Sequence, residues 1–313
     1  DDNPSSGPFE KLLQFAPRAA AGNSQGYVDF QCYTTLSTGR RAPIQSLLYI
    51  YYDGTDSDFS AFQTDSPPQL GGAEIRTFLG FNQPELNALY RTTLTKSPAG
   101  MNEALCLGIT GNSDPIFRKG VEFDPAGFPG IKIARIVRFW PVDEEQIVAL
   151  VLLSGKGVNP ANRTALILHQ EDGKKLVLLR TGTQAPGFGS EAIQVRSIQA
   201  IDLNPGTGAY AILGSLRGVP GNTNQALWAG RTRIGDDDFN QHLRLPILRL
   251  QKGQSFATEQ TERDTIRSIS LRPAPDRTGA GGRGLGQAIG VNDEIAVFVT
   301  GSGRAQELLL LDR

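Results

Sequence analysis

The sequence predicts an all-β fold, and within that class a five-bladed β-propeller of four-stranded repeats, each roughly 60 residues long. Three observations lead there. The chain of 313 residues is rich in Gly (36) and Pro (19), which separate many short aliphatic runs. A strand–turn–strand pattern recurs along the chain. Its strands are apolar on both faces, as in IVALVLL and LVLLR.

The clearest copy of the pattern is TALILHQEDGKKLVLLRTG, which begins at Thr164. It predicts an apolar strand, a tight turn at Asp172-Gly173 and a second apolar strand. We name the four predicted strands of a unit A to D, and this hairpin is C and D. Matching C–D segments lie at 45–62, 102–123 and 224–253, and a last copy at 306–313 ends after its C strand.

Two strands precede each hairpin. The A strands are predicted at 9–15, 73–81, 131–139, 192–201 and 265–271. The B strands are predicted at 26–36, 85–94, 145–153, 208–216 and 293–301. The units therefore span approximately 9–68, 73–127, 131–187, 191–258 and 264–313 of one domain. Leu105, Leu166 and Leu227 recur every 61 residues, and only the fifth unit is stretched, by a Gly-rich loop at 274–290.

Sheets that are apolar on both faces must cover one another, and a closed ring leaves no end face uncovered. This favours the propeller. The competing architectures are a solenoid and a pair of β-sandwiches. A solenoid needs polar capping repeats, and the first and last units are as apolar as the middle ones.

Composition excludes several classes of function. A net charge of −1 argues against a nucleic-acid binder that neutralises phosphates, and two His cannot form a multi-His metal site. No apolar run is long enough to span a membrane. The opening DDNPSSGP resembles a mature N-terminus after signal cleavage, so we expect a secreted protein. Cys32 and Cys106 are then either two buried thiols or one disulfide.

Each predicted A strand carries a basic residue, which in a propeller would form a ring near the axis. These residues are Lys11, Arg76, Arg135, Arg196 and Arg267. One interpretation is an anion-binding channel. The other is a repeated structural clamp, in which each cation pairs with a neighbouring blade, and repetition in every unit favours it.

The first unit holds two candidate ligand sites. Asp53, Asp56 and Asp58 are spaced like part of a calcium loop, although the Gly and distal Glu of an EF-hand are missing, and solvated turn residues are the alternative. Tyr49, Tyr51 and Tyr52 lie beside them and could stack on a glycan or a protein partner.

Two segments, NPGTGAYAILGSLRGVPGNTNQALW (204–228) and LLRTGTQAPG (178–187), resemble the tandem repeats of bacterial choice-of-anchor surface proteins. Asn292 with Ala296 is a weaker match to the same pattern. The resemblance implies export and surface attachment. It implies no enzyme activity, and no catalytic residues follow from it.

We therefore expect an exported, non-catalytic structural or binding subunit of an extracellular or cell-surface assembly, with no cofactor other than calcium. A partner or a second copy could pair with the apolar last strand, 306–313; alternatively a C-terminal tail has been removed. A carbohydrate-binding module is the second hypothesis. A five-bladed glycoside hydrolase is the third, with acids drawn from Glu10, Glu74, Asp143, Glu144 and Asp202.

Overall fold

The computed structural model describes most of the chain. The described residues are 11–22, 28–38, 41–50, 57–82, 88–109, 112–142, 145–204, 207–232, 244–257, 264–272, 288–290, 292–302 and 306–311. For the first four strands, side chains are described only at 45–46 and 61–62. The chain divides into two compact units, 1–121 and 122–313.

The predicted all-β class is confirmed, because the described elements are antiparallel strands and two short 3-10 turns. The first unit holds two four-stranded sheets, each in chain order. Sheet 1 consists of β1 (Lys11–Gly22), β2 (Val28–Thr38), β3 (Arg41–Ile50) and β4 (Ser57–Phe62). Sheet 2 consists of β5 (Glu74–Asn82), β6 (Ala88–Thr95), β7 (Glu103–Ile109) and β8 (Asn112–Arg118), and the 3-10 turns are Pro68–Leu70 and Ala99–Met101.

The second unit holds two four-stranded sheets, a short ribbon and a three-stranded sheet. Sheet 3 consists of β9 (Ile131–Pro141), β10 (Ile147–Gly155), β11 (Thr164–His169) and β12 (Lys175–Arg180). Sheet 4 consists of β13 (Gln194–Leu203), β14 (Ala209–Arg217), β15 (Gln225–Arg231) and β16 (Ile247–Gln251). The ribbon pairs β17 (Ser255–Phe256) with β18 (Asp264–Thr265), and sheet 5 consists of β19 (Ser268–Ser270), β20 (Ile295–Thr300) and β21 (Gln306–Leu311).

The strand pairing confirms the repeat within each sheet. Leu105, Leu166 and Leu227 occupy the same position, the third residue of the C strand, and all three are buried. Each also pairs across to its B strand at the same register. The interval of 61 residues therefore reflects a repeated structural unit.

The A strands carry a feature that the sequence pattern did not reveal, a pair of β-bulges. In β5 the extra residues are Arg76 and Leu79, and in β13 they are Arg196 and Gln199. In β9 the bulges fall at Ala134 and Val137. A bulge bends and twists its strand, so this repeated pair, which β1 also has, gives sheets 1 to 4 a similar curvature.

A glycine follows the D strands of sheets 2, 3 and 4, whereas Thr64, with φ +80, holds the equivalent position after β4. Gly182 has φ +78, and a Cβ there would lie 2.6 Å from Cβ of Asn162. Gly120 and Gly253 have φ +79 and +91, with similarly close neighbours. These are the glycines of the recurring Arg-Lys-Gly, Arg-Thr-Gly and Gln-Lys-Gly endings. The chain turns here towards the next A strand in a left-handed conformation, which glycine adopts without strain.

The core of the second unit lies between successive sheets. Leu166 and Leu168 of sheet 3 pack in one cluster with Tyr210, Ile212 and Trp228 of sheet 4. The indole N–H of Trp228 donates to the carbonyl of Pro186 at 2.9 Å. The opposite face of sheet 4 packs on sheet 5 in a second hydrophobic cluster. Both faces of sheet 4 are thus covered, as apolar two-faced sheets require.

Among the described residues, no helix is long and apolar enough to cross a membrane.

Candidate functional site

Three of the five basic residues of the predicted ring lie at one repeated structural position. Ile75, Val195 and Ile266 are equivalent because each carbonyl accepts an N–H from the end of the preceding sheet, at 2.8 Å. The donors are the N–H groups of Thr64, Gly182 and Gly253. Arg76, Arg196 and Arg267 follow these three anchors directly, and all three are exposed.

The other two basic residues do not share this position, which corrects the sequence alignment. In β9 the residue after the buried anchor Ile133 is Ala134, so Arg135 lies one residue further along. In β1 the first bulge falls at Leu13, two residues after Lys11, whose side chain lies outside the described residues. Arg76, Ala134 and Arg196 are the equivalent bulge residues, so matching by basic residues alone shifted the alignment at Arg135.

The four described arginines form no ion pair with any described residue, so the structural clamp has no contact to support it. Arg196 instead borders an open groove of about 670 Å³ together with Arg217. Nε of Arg217 donates to Oε1 of Gln194 at 2.7 Å, which orients the guanidinium. Arrangement of these residues around a common axis stays a prediction.

The candidate sites of the first unit fall largely outside the described residues. Tyr51, Tyr52, Asp53 and Asp56 belong to the undescribed segment 51–56. Tyr49 lies in β3 and Asp58 in β4, where they pair with each other through the backbone, but their side chains are not described. The calcium and glycan interpretations therefore stay predictions. No group of three or more His, Cys, Asp or Glu side chains that could hold a metal occurs within the described ranges.

Cys106 is a free, fully buried cysteine in β7, whereas a disulfide with Cys32 was one of the two sequence expectations. It belongs to the core cluster that also contains Tyr90 and Phe78. Burial raises the pKa of the Cys106 thiol to about 12. The side chain of Cys32 lies outside the described residues. The structure thus places Cys106 in the core as a packing residue.

Of the five acids of the hydrolase hypothesis, the structure describes two, Glu74 and Asp202. Glu74 pairs with Lys96 at 2.5 Å, and Glu10, Asp143 and Glu144 lie outside the described residues. Asp202 is 1% exposed, and burial raises the pKa of its carboxyl to about 6 although it accepts backbone N–H bonds. A carboxylate enclosed in this way has no exposed surface with which to contact a sugar.

One side of sheet 5 exposes apolar side chains at positions that are packed against a neighbouring sheet in sheets 3 and 4. In sheet 3 the cross-strand pairs Val148–Leu168 and Leu150–Leu166 form the face that packs on sheet 4. In sheet 4 the equivalent pairs, Ala211–Ala229 and Leu213–Leu227, pack on sheet 5. In sheet 5 the same positions are held by Ala296–Leu310 and Phe298–Leu308.

These last pairs lie on the solvent side of the sheet. Leu308 is 54% exposed and Leu310 is 64% exposed. Their neighbours Leu309 and Leu311 point the other way and pack on the core shared with sheet 4. The guanidinium of Arg272 lies 4.8 Å from the ring centroid of Phe298 and covers only part of this face. We call Ala296, Phe298, Leu308 and Leu310 the outer face.

The edge of sheet 5 is also open within the part of the chain that the structure describes. There β21 pairs only with β20, whereas the equivalent strands β7, β11 and β15 pair on both sides. The sequence predicted this strand end as an apolar edge, and the sheet has three strands as expected. The outer face could not be predicted from the sequence, because strand register is needed to assign alternate leucines to opposite sides.

Comparison of the chain with protein-family models and with curated proteins found no match.

Proposed function

We propose that this chain is an exported, non-catalytic subunit of an extracellular or cell-surface assembly, and that its partner binds along β21. The observation that carries the proposal is that the apolar strand β21 is an edge among the described strands, whereas its equivalents β3, β7, β11 and β15 are internal. Long apolar edges pair readily with other chains. The resemblance to surface repeat proteins supports export and gives no reason to expect catalysis.

The repeat indicates which backbone groups of β21 are open. In sheets 2, 3 and 4 the first residue of the C strand offers its carbonyl to the chain leaving the D strand, at 2.9 Å each time. The acceptors are the carbonyls of Glu103, Thr164 and Gln225, bound by the N–H groups of Lys119, Thr181 and Lys252. Gln306 is the equivalent residue of β21. By strand alternation, the N–H and C=O groups of Leu308 and Leu310 also face the open edge.

The partner is expected to supply an extended strand with aliphatic side chains. Its backbone would complete the fourth strand of the sheet, in the place that β12 and β16 take in sheets 3 and 4. A partner strand also shields apolar side chains of β21 from water. A protein with a free apolar segment, including a second copy of this chain, meets this description.

The finer architecture that we propose for the assembled state is a five-bladed β-propeller of the units 9–68, 73–127, 131–187, 191–258 and 264–313. The outer face supports it, since the same positions in sheets 3 and 4 are each covered by the following sheet. Closure of the ring and addition of the fourth strand would together cover the face and the edge. Electron microscopy of the native assembly would reveal the number of blades.

Two variants of Leu308 distinguish binding through the backbone groups of the β21 edge from binding through the side chains of the outer face. Leu308→Pro removes both the side chain and the outward N–H, whereas Leu308→Ala removes only the side chain. We expect the proline variant to fold and to lose assembly, measured by mass photometry of protein from the native source, while the alanine variant retains most of it. Ile247→Ala, at an apolar residue 47% exposed on β16, is the control for general loss of exposed apolar surface.

If both Leu308 variants assemble like the wild type, the edge has no binding role and the proposal fails. Equal loss in both would assign binding to the outer face instead of the edge.

A further inference from the structure

A second cavity in the 122–313 unit lies between sheets 4 and 5. It encloses about 230 Å³. Its polar lining comes from Tyr210, Arg231, Arg249 and Asp293, and its apolar lining includes Ile247 and Ile295. The volume suits a small molecule of a few heavy atoms. The basic residues of the predicted ring, the Tyr and Asp candidates of the first unit and the residues of β21 do not line this cavity.

Most of the polar groups in the cavity already have partners. Nη2 of Arg231 lies 2.8 Å from Oδ2 of Asp293, and Nε of Arg231 donates to the carbonyl of Thr207 at 2.9 Å. The hydroxyl of Thr207 donates to the other oxygen of Asp293. The hydroxyl of Tyr210 donates to the carbonyl of Arg244 at 2.5 Å. Arg231 and Asp293 therefore neutralise each other.

Arg249 is the exception. Its Nε is buried from solvent and has no hydrogen-bond acceptor. It forms no ion pair with any residue in the described ranges. Arg249 as a whole is half-buried, but its buried Nε–H without an acceptor is unfavourable, and a cation beside a neutralised pair leaves the cavity with net positive charge.

The repeat shows that the fold does not need an arginine here. Each D strand has one bulge, and in β16 the extra residue is Arg249. The equivalent bulge residues are Ser60 in β4, Ile116 in β8 and Leu178 in β12, and the last two are buried. An aliphatic side chain thus satisfies the same position in two other sheets. A departure from the repeat that leaves a buried donor unpaired is typical of a binding site.

We propose that this cavity binds a small carboxylate with a short aliphatic chain. The guanidinium of Arg249 binds the carboxylate, because its planar donors match that group. Ile247, Ile295 and the small side chains of Ala209 and Ala229 contact the aliphatic part. This site is independent of the open edge of β21.

Butyrate is the probe, titrated into the whole chain and followed by NMR chemical shifts and by calorimetry. We expect saturable binding with a dissociation constant of about 1 mM, as suits a ligand of so few atoms. Butyramide, which has the same shape without the charge, should not bind. Arg249→Leu restores the residue type of the repeat, so it should fold and bind at least about tenfold more weakly. Arg135→Leu is the control at an exposed arginine.

Butyrate binding that is absent, or that is unchanged in Arg249→Leu or matched by butyramide, would overturn the proposal. Should Arg249→Leu fail to fold, Arg249→Lys provides the same comparison, because lysine keeps the charge but lacks the planar pair of donors. Weaker butyrate binding by folded Arg249→Lys supports the site, and unchanged binding contradicts it.

Discussion

The carboxylate of Asp202 accepts the backbone N–H of Ala288 at 2.5 Å, and the same oxygen, Oδ2, accepts the N–H of Ile289 at 3.2 Å. These bonds join the A strand of sheet 4 to the segment that precedes β20. Burial raises the pKa of Asp202 to about 6, against 3.8 for an unperturbed Asp. The folded protein therefore binds this proton more tightly than the unfolded chain does, and the stabilising effect of protonation is lost as pH rises through 6.

We predict that Asp202→Asn removes this pH dependence. The amide oxygen can accept both N–H bonds without a charge, so the variant should fold. Relative to the variant, the unfolding free energy of the wild type should rise by roughly 2.5 kcal/mol between pH 7.5 and pH 4. Urea unfolding at several pH values measures the difference in unfolding free energy between wild type and variant. Groups that both proteins share do not contribute to this difference. His169 is one of them, and its lowered pKa alone would change the stability in the opposite direction. A difference that stays constant with pH would show that Asp202 does not titrate in this range.

Gly182 tests the steric requirement at the end of the D strand. We expect Gly182→Ala to cost about 2–4 kcal/mol, because left-handed strain adds to a contact of 2.6 Å between the new Cβ and Asn162. Gly173→Ala is the matched control in the same sheet, with φ +77 and nothing within 4 Å of the new Cβ. It should cost about 1 kcal/mol. Equal losses of unfolding free energy would mean that the backbone conformation alone matters.

The all-β class, the repeated sheets and the three-stranded last sheet could be predicted from the sequence. Short aliphatic runs, turn residues and the 61-residue spacing of Leu105, Leu166 and Leu227 depend on local patterns, which a sequence displays directly. The C–D hairpin closed by Asp172-Gly173 is one such pattern, and the structure has it between β11 and β12.

The candidate sites were less predictable because they depend on bulges and on register. Arg135 looked equivalent to Arg76 and Arg196, but the equivalent bulge residue of β9 is Ala134, and Arg135 lies one residue further along the strand. Arg249 could not be identified as a candidate from the sequence, since its equivalence to Ile116 and Leu178 is visible only once the bulges are known. A one-residue shift moves a side chain to the other face of a sheet, and no local sequence signal marks it.

Leu227 and Leu308 occupy equivalent positions with opposite burial, which gives a paired prediction. Leu227→Ala should destabilise the isolated chain by about 3–5 kcal/mol, because it leaves a cavity between sheets 4 and 5. Leu308→Ala should change the stability by less than about 1 kcal/mol, because this leucine is 54% exposed. Denaturant unfolding of both variants provides the comparison. A cost above about 2 kcal/mol at Leu308 would mean that a sheet of the same chain covers the outer face.

Cys106 should be inert in the folded protein. Its thiol is fully buried, and a pKa of about 12 keeps it protonated at pH 8, so the reactive thiolate is scarce and inaccessible. Iodoacetamide labelling followed by peptide mapping should leave Cys106 unmodified in buffer and modify it completely in urea without reductant. The absence of reductant matters, because a cysteine held in a disulfide would stay unlabelled in both conditions. Labelling of Cys106 in the native state would place it at an accessible surface, contrary to its position in the core with Tyr90.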